Sequence, residues 1–335
     1  MEVFRYSLGA VLPMVLQILL GYLFQRWRLL SDGFFAEGKK LAFKVLVPVT
    51  IFLNIYNSSS IRNLSFSTAL FSFVWLLLLF LVGLAAGALF PDRRKKSVVG
   101  QAAYRSNFSV ISIPLSQALG GSGGAALAGL LSAIVIPEIN ILATVNLTLA
   151  GSEPSKGISV KKLLSSIFKN PMVISALLGV ACLLLRDLIP VNAEGKPVFS
   201  ISGNLPSLFS AVSSLGRASS PFTLVILGGS LKISKFTSNR RDLFIGTVLR
   251  LIVAPVLVIG SAVLLCRAGL LHFGIAEYTC LVSIFASPLA VATGVMTANM
   301  GGDGEYADQL VVMTTVFSAL TVFLIVFVMR SAQLL

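Results

Sequence analysis

Apolar residues run through this chain in blocks of about twenty, separated by short stretches rich in Lys, Arg, Gly and Pro. A helix rises about 1.5 Å per residue, so about 20 apolar residues cross the roughly 30 Å hydrocarbon core of a bilayer. By that measure ten transmembrane helices are expected, over residues 7–25, 34–55, 67–90, 98–119, 125–149, 169–189, 204–231, 242–266, 275–300 and 305–330. The expected fold is therefore an all-α polytopic membrane protein.

The pattern also repeats. Pro13-Met14-Val15-Leu16-Gln17-Ile18-Leu19-Leu20-Gly21 returns as Pro171-Met172-Val173-Ile174-Ser175-Ala176-Leu177-Leu178-Gly179. Pro48 and Pro114 lie 66 positions apart, Pro221 and Pro288 lie 67 apart, and each pair sits in apolar segments. A first five-helix repeat over 1–150, a cytoplasmic linker over 151–168 and a second repeat over 169–335 account for these matches. Five spans is an odd number, so the two repeats must enter the membrane in opposite senses, the inverted plan of many secondary transporters.

Composition fixes the class independently: 56% of residues are hydrophobic, 12% are charged and the mean hydropathy is +0.92, which leaves too little polar surface for a water-soluble domain. The net charge of +13 reflects topology. Loops after the odd-numbered spans hold sixteen Lys and Arg, among them Arg26, Arg28 and the run Arg93 to Lys96, whereas the opposite side holds six. The positive-inside rule then places the chain in the cell (inner) membrane with both termini outside the cytoplasm. The basic run is a short turn between spans facing lipid headgroups, and no nucleic-acid partner is expected. Cys182, Cys266 and Cys280 lack paired spacing, so neither a disulfide nor a metal site is expected.

The fourth and ninth spans are too polar to be plain lipid-facing helices. The fourth contains Arg105, Asn107, Ser109, Ser112 and Pro114, with a break expected near Pro114; the ninth contains Ser287, Pro288 and Thr293. Glycine runs follow at 120–124 and 301–304. Two broken helices crossing in mid-membrane leave backbone groups that only protein or a water-filled cavity satisfies. Kinks in packed helices are the plainer reading.

At these residues the chain resembles the auxin efflux carrier family, which includes bacterial organic-acid carriers and the plant PIN-type carriers. The likeness rests on Asn107 followed by Ile113-Pro114-Leu115, on Asn170-Pro171, and on Ser287-Pro288-Leu289-Ala290, and it covers nearly the whole chain. Ser112 stands where the family often has glycine. The resemblance implies a PIN-like, NhaA-like fold with broken crossover helices 4 and 9. In it, helices 3–5 and 8–10 form a transport domain that moves against a scaffold of helices 1, 2, 6 and 7. It further implies an organic anion as cargo, dicarboxylate-like or auxin-like, with Asn107, Pro114 and Pro288 at its site.

Ionisable residues inside spans are functional candidates in their own right, because burying an unpaired charge in a bilayer is costly. Arg105 either contacts the anion or snorkels to the cytoplasmic interface; Arg217, among four serines, is a second cation for the anion. Glu138 is a proton-coupling candidate or a structural partner of Arg105 or Arg250. Asp303, Glu305 and Asp308 gather where the tenth span begins and suit its dipole. Gly83-x3-Gly87 permits close helix packing, within the chain or between two copies in a homodimer.

No HExxH, CxxC or phosphate loop occurs, so no enzyme activity and no cofactor is expected. What remains is a secondary or facilitative transporter of a small organic anion, coupled to H+ or uncoupled. The alternative is a sodium-coupled carrier of the bile-acid symporter type, with Na+ ranked below H+.

Overall fold

The computed structural model describes residues 2–57, 65–150, 169, 171–188, 200–231 and 240–335. The linker expected over 151–168 lies outside these residues, as do the basic residues Lys156, Lys161, Lys162, Lys232 and Lys235. Among the described residues the chain is helical throughout, and its one β-type pairing is an isolated bridge between Ser106 and Leu289.

The helices are α1 (Glu2–Arg26), α2 (Asp32–Leu41), α3 (Val47–Tyr56), α4 (Phe66–Ala88), α5 (Arg93–Tyr104), α6 (Ile113–Ala150), α7 (Pro171–Leu188), α8 (Ile201–Asn204), α9 (Pro206–Ser230), α10 (Arg240–Val248), α11 (Ala254–Arg267), α12 (Ile275–Ala286), α13 (Ala292–Asn299) and α14 (Gly304–Ser331). Among the described residues four stretches are long and apolar enough to cross a membrane: α1, α4, the continuous run Arg240–Arg267, and α14. A bent pair, Val110–Ser132 with Ile134–Leu149, makes a fifth if it is taken as one span. The exposed Leu, Phe and Val side chains on α1, α4 and α14 fit a lipid-facing surface.

Side-chain caps set the helix starts as the polar punctuation suggests. Ser31, Ser65, Asp92 and Asp303 each accept a hydrogen bond from a backbone N–H in the first turn of α2, α4, α5 and α14. Asp303 thereby takes the helix-start role expected of the acidic cluster.

Prolines account for the less regular turns. Three π-turns occur, over Ala42–Leu46, Phe108–Ser112 and Leu249–Val253, and each ends two residues before a proline: Pro48, Pro114 and Pro255. A proline lacks the N–H for the ladder and its ring crowds the carbonyl four residues back. Widening the preceding turn by one residue relieves both problems without breaking the helix. The break expected near Pro114 is therefore corrected. Pro114 is absorbed by its π-turn, and the helix is interrupted earlier, at Arg105, Ser106 and Asn107.

Gly121 does break the path, with φ 57° and ψ −145°, a conformation open to glycine. Between Phe108 and Asn146 the chain comes back to α5, where Asn146 Nδ2 donates to the Ser97 carbonyl at 3.0 Å. Glycines also set the contact of α4 with α5. A Cβ at Gly83 would lie 2.2 Å from the Gly100 carbonyl oxygen, and one at Gly87 would lie 2.9 Å from that of Lys96. The Gly83-x3-Gly87 pair is thus used in packing within the chain. Around these contacts, α1 and α3 each pack on α9 and α3 on α7, while α4, α5, α6 and α10–α14 form a second set of contacts that meets the first where α1 packs on α14 and α6 on α3 and α7.

Candidate functional site at the helix crossing

Two interrupted helices meet in the protein interior. The first runs through α5, breaks at 105–107 and resumes at Phe108; the second runs through α12, breaks at Ser287–Val291 and resumes as α13. The two breaks pair as a short antiparallel bridge. Asn107 N donates to the Pro288 carbonyl at 2.9 Å, and Ala290 N donates to the Arg105 carbonyl at 3.0 Å. Leu289 N is taken by Thr314 Oγ1 at 3.2 Å, and Ser112 Oγ and Ser287 Oγ lie 2.9 Å apart. Proline supplies the break in the second helix, since Pro288 has no N–H and pushes Ser287 into extended conformation, with φ −64° and ψ 150°.

The last carbonyls of a broken helix need donors. Arg250, fully buried in the π-turn before Pro255, provides them for both helices at once. Its Nε donates to the Ser287 carbonyl at 2.6 Å and its Nη2 to the Ile284 and Phe285 carbonyls, each at 3.0 Å; its Nη1 donates to the Ala103 carbonyl at 3.3 Å. The guanidinium thus sits where the negative ends of α5 and α12 converge, and its rigid fork matches several acceptors at once.

Arg105 is 2% exposed, so it does not snorkel. It donates to Gln101 Oε1 and to the Met296 sulfur, and it lines a cavity of about 190 Å3 together with Ser106, Asn107 and Asn140. A larger cavity of about 390 Å3 lies toward the Gly121 end, between α3, α6 and α9. Its polar lining includes Thr50, Asn54, Gln117, Ser220 and Arg217, with Pro114 on its wall. A small space of about 10 Å3, lined by Lys39, shares Phe43 and Val291 with the first cavity and Val110 and Thr223 with the second. The cations lining these three spaces are Arg105, Lys39 and Arg217; among the described residues no carboxylate lines any of them. Asp308 is within electrostatic reach of Lys39.

Several polar atoms here are buried without a hydrogen-bond partner: Asn107 Nδ2, Ser106 Oγ, Asn54 Nδ2, Thr223 Oγ1 and Thr293 Oγ1. Such groups are costly to bury and are the places where a solute is best accommodated. Of the residues singled out from sequence, Arg105 and Asn107 fall together in the smaller cavity, and Pro114 and Arg217 in the larger. Arg217 is exposed there and donates to Ser214 Oγ at 2.9 Å. Ser112 and Ser287 face each other, and Ser287 Oγ also donates to the Ser283 carbonyl at 2.5 Å. Ser109 lies in the π-turn, with its side chain outside the described residues. Thr293 is buried beside the break at the start of α13.

Glu138 is 6% exposed and neither of its oxygens has a hydrogen-bond partner. Of the two readings of Glu138, the pairing with Arg105 or Arg250 is therefore corrected: both guanidiniums are taken up by other groups. Sequence reasoning missed Thr50, Asn54 and Thr223. Asn54 carried the same signal as Asn107, an amide inside an apolar span.

A nearly all-helical chain with apolar spans, a buried crossing of two broken helices and cation-lined cavities on either side of it is built as a membrane transporter. The family model described as "membrane transport protein" matches residues 6–326, so the chain belongs to that family, the auxin efflux carriers. It is a transporter family and not an enzyme family. No curated protein matches the chain.

Proposed function

We propose that the protein is a secondary or facilitative carrier that moves a small organic anion, dicarboxylate-like or auxin-like, across the cell membrane by alternating access at the crossing of spans 4 and 9. The observation that carries this reading is the charge of the route: Arg105, Lys39 and Arg217 line its three parts and, among the described residues, no carboxylate does. Carboxylates bound by guanidinium and amide donors form short, charge-assisted hydrogen bonds, and Asn107 Nδ2 is a buried donor in need of an acceptor. A helix N-terminus at Phe108 adds a favourable dipole.

The same reading uses ten spans in two inverted repeats, with 1–150 and 169–335 as the repeats and both termini outside. The set containing α1, α3, α7 and α9 acts as the scaffold, and the set containing the crossing moves against it. In that orientation the Arg217 cavity opens outward and the Arg105 cavity inward, and the small space at Phe43, Val110, Thr223 and Val291 separates them. A sodium-coupled carrier would need paired acidic and amide ligands close to the crossing, and among the described residues the lining of the route holds amides without a carboxylate.

The test is uptake of radiolabelled malate, malonate, citrate and indole-3-acetate into proteoliposomes, with counterflow and with imposed H+ or Na+ gradients. Saturable uptake and counterflow of at least one anion, lost in Asn107→Ala, is expected. Non-saturating flux without exchange would mean a channel, and dependence on a Na+ gradient would favour the sodium-coupled alternative.

A further inference from the structure

A second groove has no part in the route just described. It holds about 270 Å3 and runs between α1 and α14, with Val11, Val15 and Tyr22 on one wall, Leu115 at its base and Ala319 and Val322 opposite. Its lining is almost wholly apolar; Ser318 directs its hydroxyl to the Thr315 carbonyl at 2.7 Å. Both long walls are helices apolar enough to cross a membrane, so the medium beside the groove is lipid.

Two features identify the occupant. From Val11 to Tyr22 the groove follows α1 for eleven residues, about 16 Å at 1.5 Å per residue. That is about half of a roughly 30 Å hydrocarbon core, the length of one leaflet. At the Tyr22 end the chemistry changes sign: Arg26 Nη1 donates to the Tyr22 hydroxyl at 3.1 Å, one turn on, and Trp27 follows with 66% exposure. An exposed Trp beside arginines marks the level of the lipid headgroups. Arg26 and Arg28 place two cations there, with α1 ending between them and α2.

We propose that this groove is a binding site for one anionic phospholipid, with an acyl chain lying along α1 between α1 and α14 and the phosphate against Arg26. The occupant is then wedged between the helix that packs on α9 and the helix that packs on the crossing, where relative movement of the two sets would be felt.

The test adds phosphatidylglycerol or phosphatidylcholine to delipidated protein in detergent and reads bound lipid by native mass spectrometry and thermal stability. One phosphatidylglycerol is expected to be retained by the wild type, with an apparent affinity at least fivefold above that for phosphatidylcholine. Arg26→Gln should remove the preference between the two lipids. Ala319→Phe fills the groove and should weaken retention of both at least tenfold, while Ala319→Ser leaves it open and should bind as the wild type does. Equal affinity of the wild type for the two lipids, or retention by Ala319→Phe equal to that of Ala319→Ser, would overturn the proposal. Neither readout depends on which solute is carried.

Discussion

Arg250 Nε lies 2.6 Å from the carbonyl oxygen of Ser287, and the same guanidinium reaches carbonyls at the ends of α12 and α5. One side chain thus closes the two helix ends that the crossing opens. Replacing it with Leu strands several buried acceptors, each costing about 1–3 kcal/mol when unpaired. Arg250→Leu is expected to lower stability by about 3 kcal/mol or more. Arg250→Lys should be intermediate, since an ammonium keeps the charge near the helix dipoles but lacks the fork. Thermal unfolding of the three proteins in detergent checks the order; Arg250→Leu unfolding with the wild type would refute the role.

Asn107 contrasts with Arg250. Its backbone N–H holds Pro288 across the bridge, whereas its side-chain Nδ2 is buried with no hydrogen-bond partner. Asn107→Ala keeps the bridge and removes an unsatisfied donor, so the change in stability should stay within about 1 kcal/mol. Solute binding, in contrast, should fall at least tenfold, the equivalent of one charge-assisted hydrogen bond of about 1.5 kcal/mol. Anion-induced thermal stabilisation, compared between the two proteins, separates the effects. A mutant that unfolds early would move Asn107 from the site to the scaffold.

The two breaks illustrate what the sequence makes legible. Serines in otherwise apolar spans marked both broken segments, with Arg105 and Asn107 added in the first, and Pro288 marked the position of the second break, because a missing N–H is a local property. The first break was harder to place. Pro114 carries the same local signal, but a π-turn absorbs it, and the interruption falls seven residues earlier, where only pairing with 288–290 stabilises it. That partner is remote in sequence, as are the four carbonyls that Arg250 reaches. Asn54 and Thr223 face the route only because α3 and α9 pack beside α6, an arrangement that no single span encodes.

Arg217 and Arg105 occupy different dielectric surroundings, and their replacements should differ accordingly. Arg217 is exposed in the larger cavity, so Arg217→Gln removes a screened attraction and is expected to raise KM a few-fold with little change in maximal rate. The wild-type advantage should shrink as ionic strength rises. Initial uptake rates at low and high salt check this; a loss of maximal rate with unchanged KM would contradict it.

On the basic side, Lys95 Nζ bonds Asp242 Oδ2 at 2.9 Å, Tyr306 donates to the Asp242 carbonyl at 2.8 Å, and α5, α10 and α14 are tied together. The hydrogen bond to Asp242 raises the Lys95 pKa above its ordinary value of 10.5, aided by the nearby Asp303 and Asp92 charges and opposed by partial burial. A pKa raised on folding favours the charged, folded form. Its contribution is complete below the unfolded pKa and is lost as the pH climbs through the folded one. The difference in stability between wild type and Lys95→Met should therefore be level from pH 7 to about 10 and shrink above 10.5. A difference that stays constant to pH 11.5 would show that the tie is packing alone.

Glu138 is a buried carboxyl with no hydrogen-bond partner at either oxygen, on the stretch of α6 that also supplies Asn140 to the Arg105 cavity. A carboxyl with both oxygens unpartnered in an apolar span is suited to taking up and releasing a proton and not to holding an ion pair. Glu138→Gln keeps the shape and removes that capacity. Because no hydrogen bond is lost, the variant should fold with unchanged or slightly higher thermal stability. In proteoliposomes it should retain anion counterflow, which needs no net proton movement, and lose its response to an imposed pH gradient. Wild-type gradient dependence in Glu138→Gln would remove Glu138 from the mechanism. Loss of counterflow together with the gradient response would instead place the carboxyl in the conformational step itself.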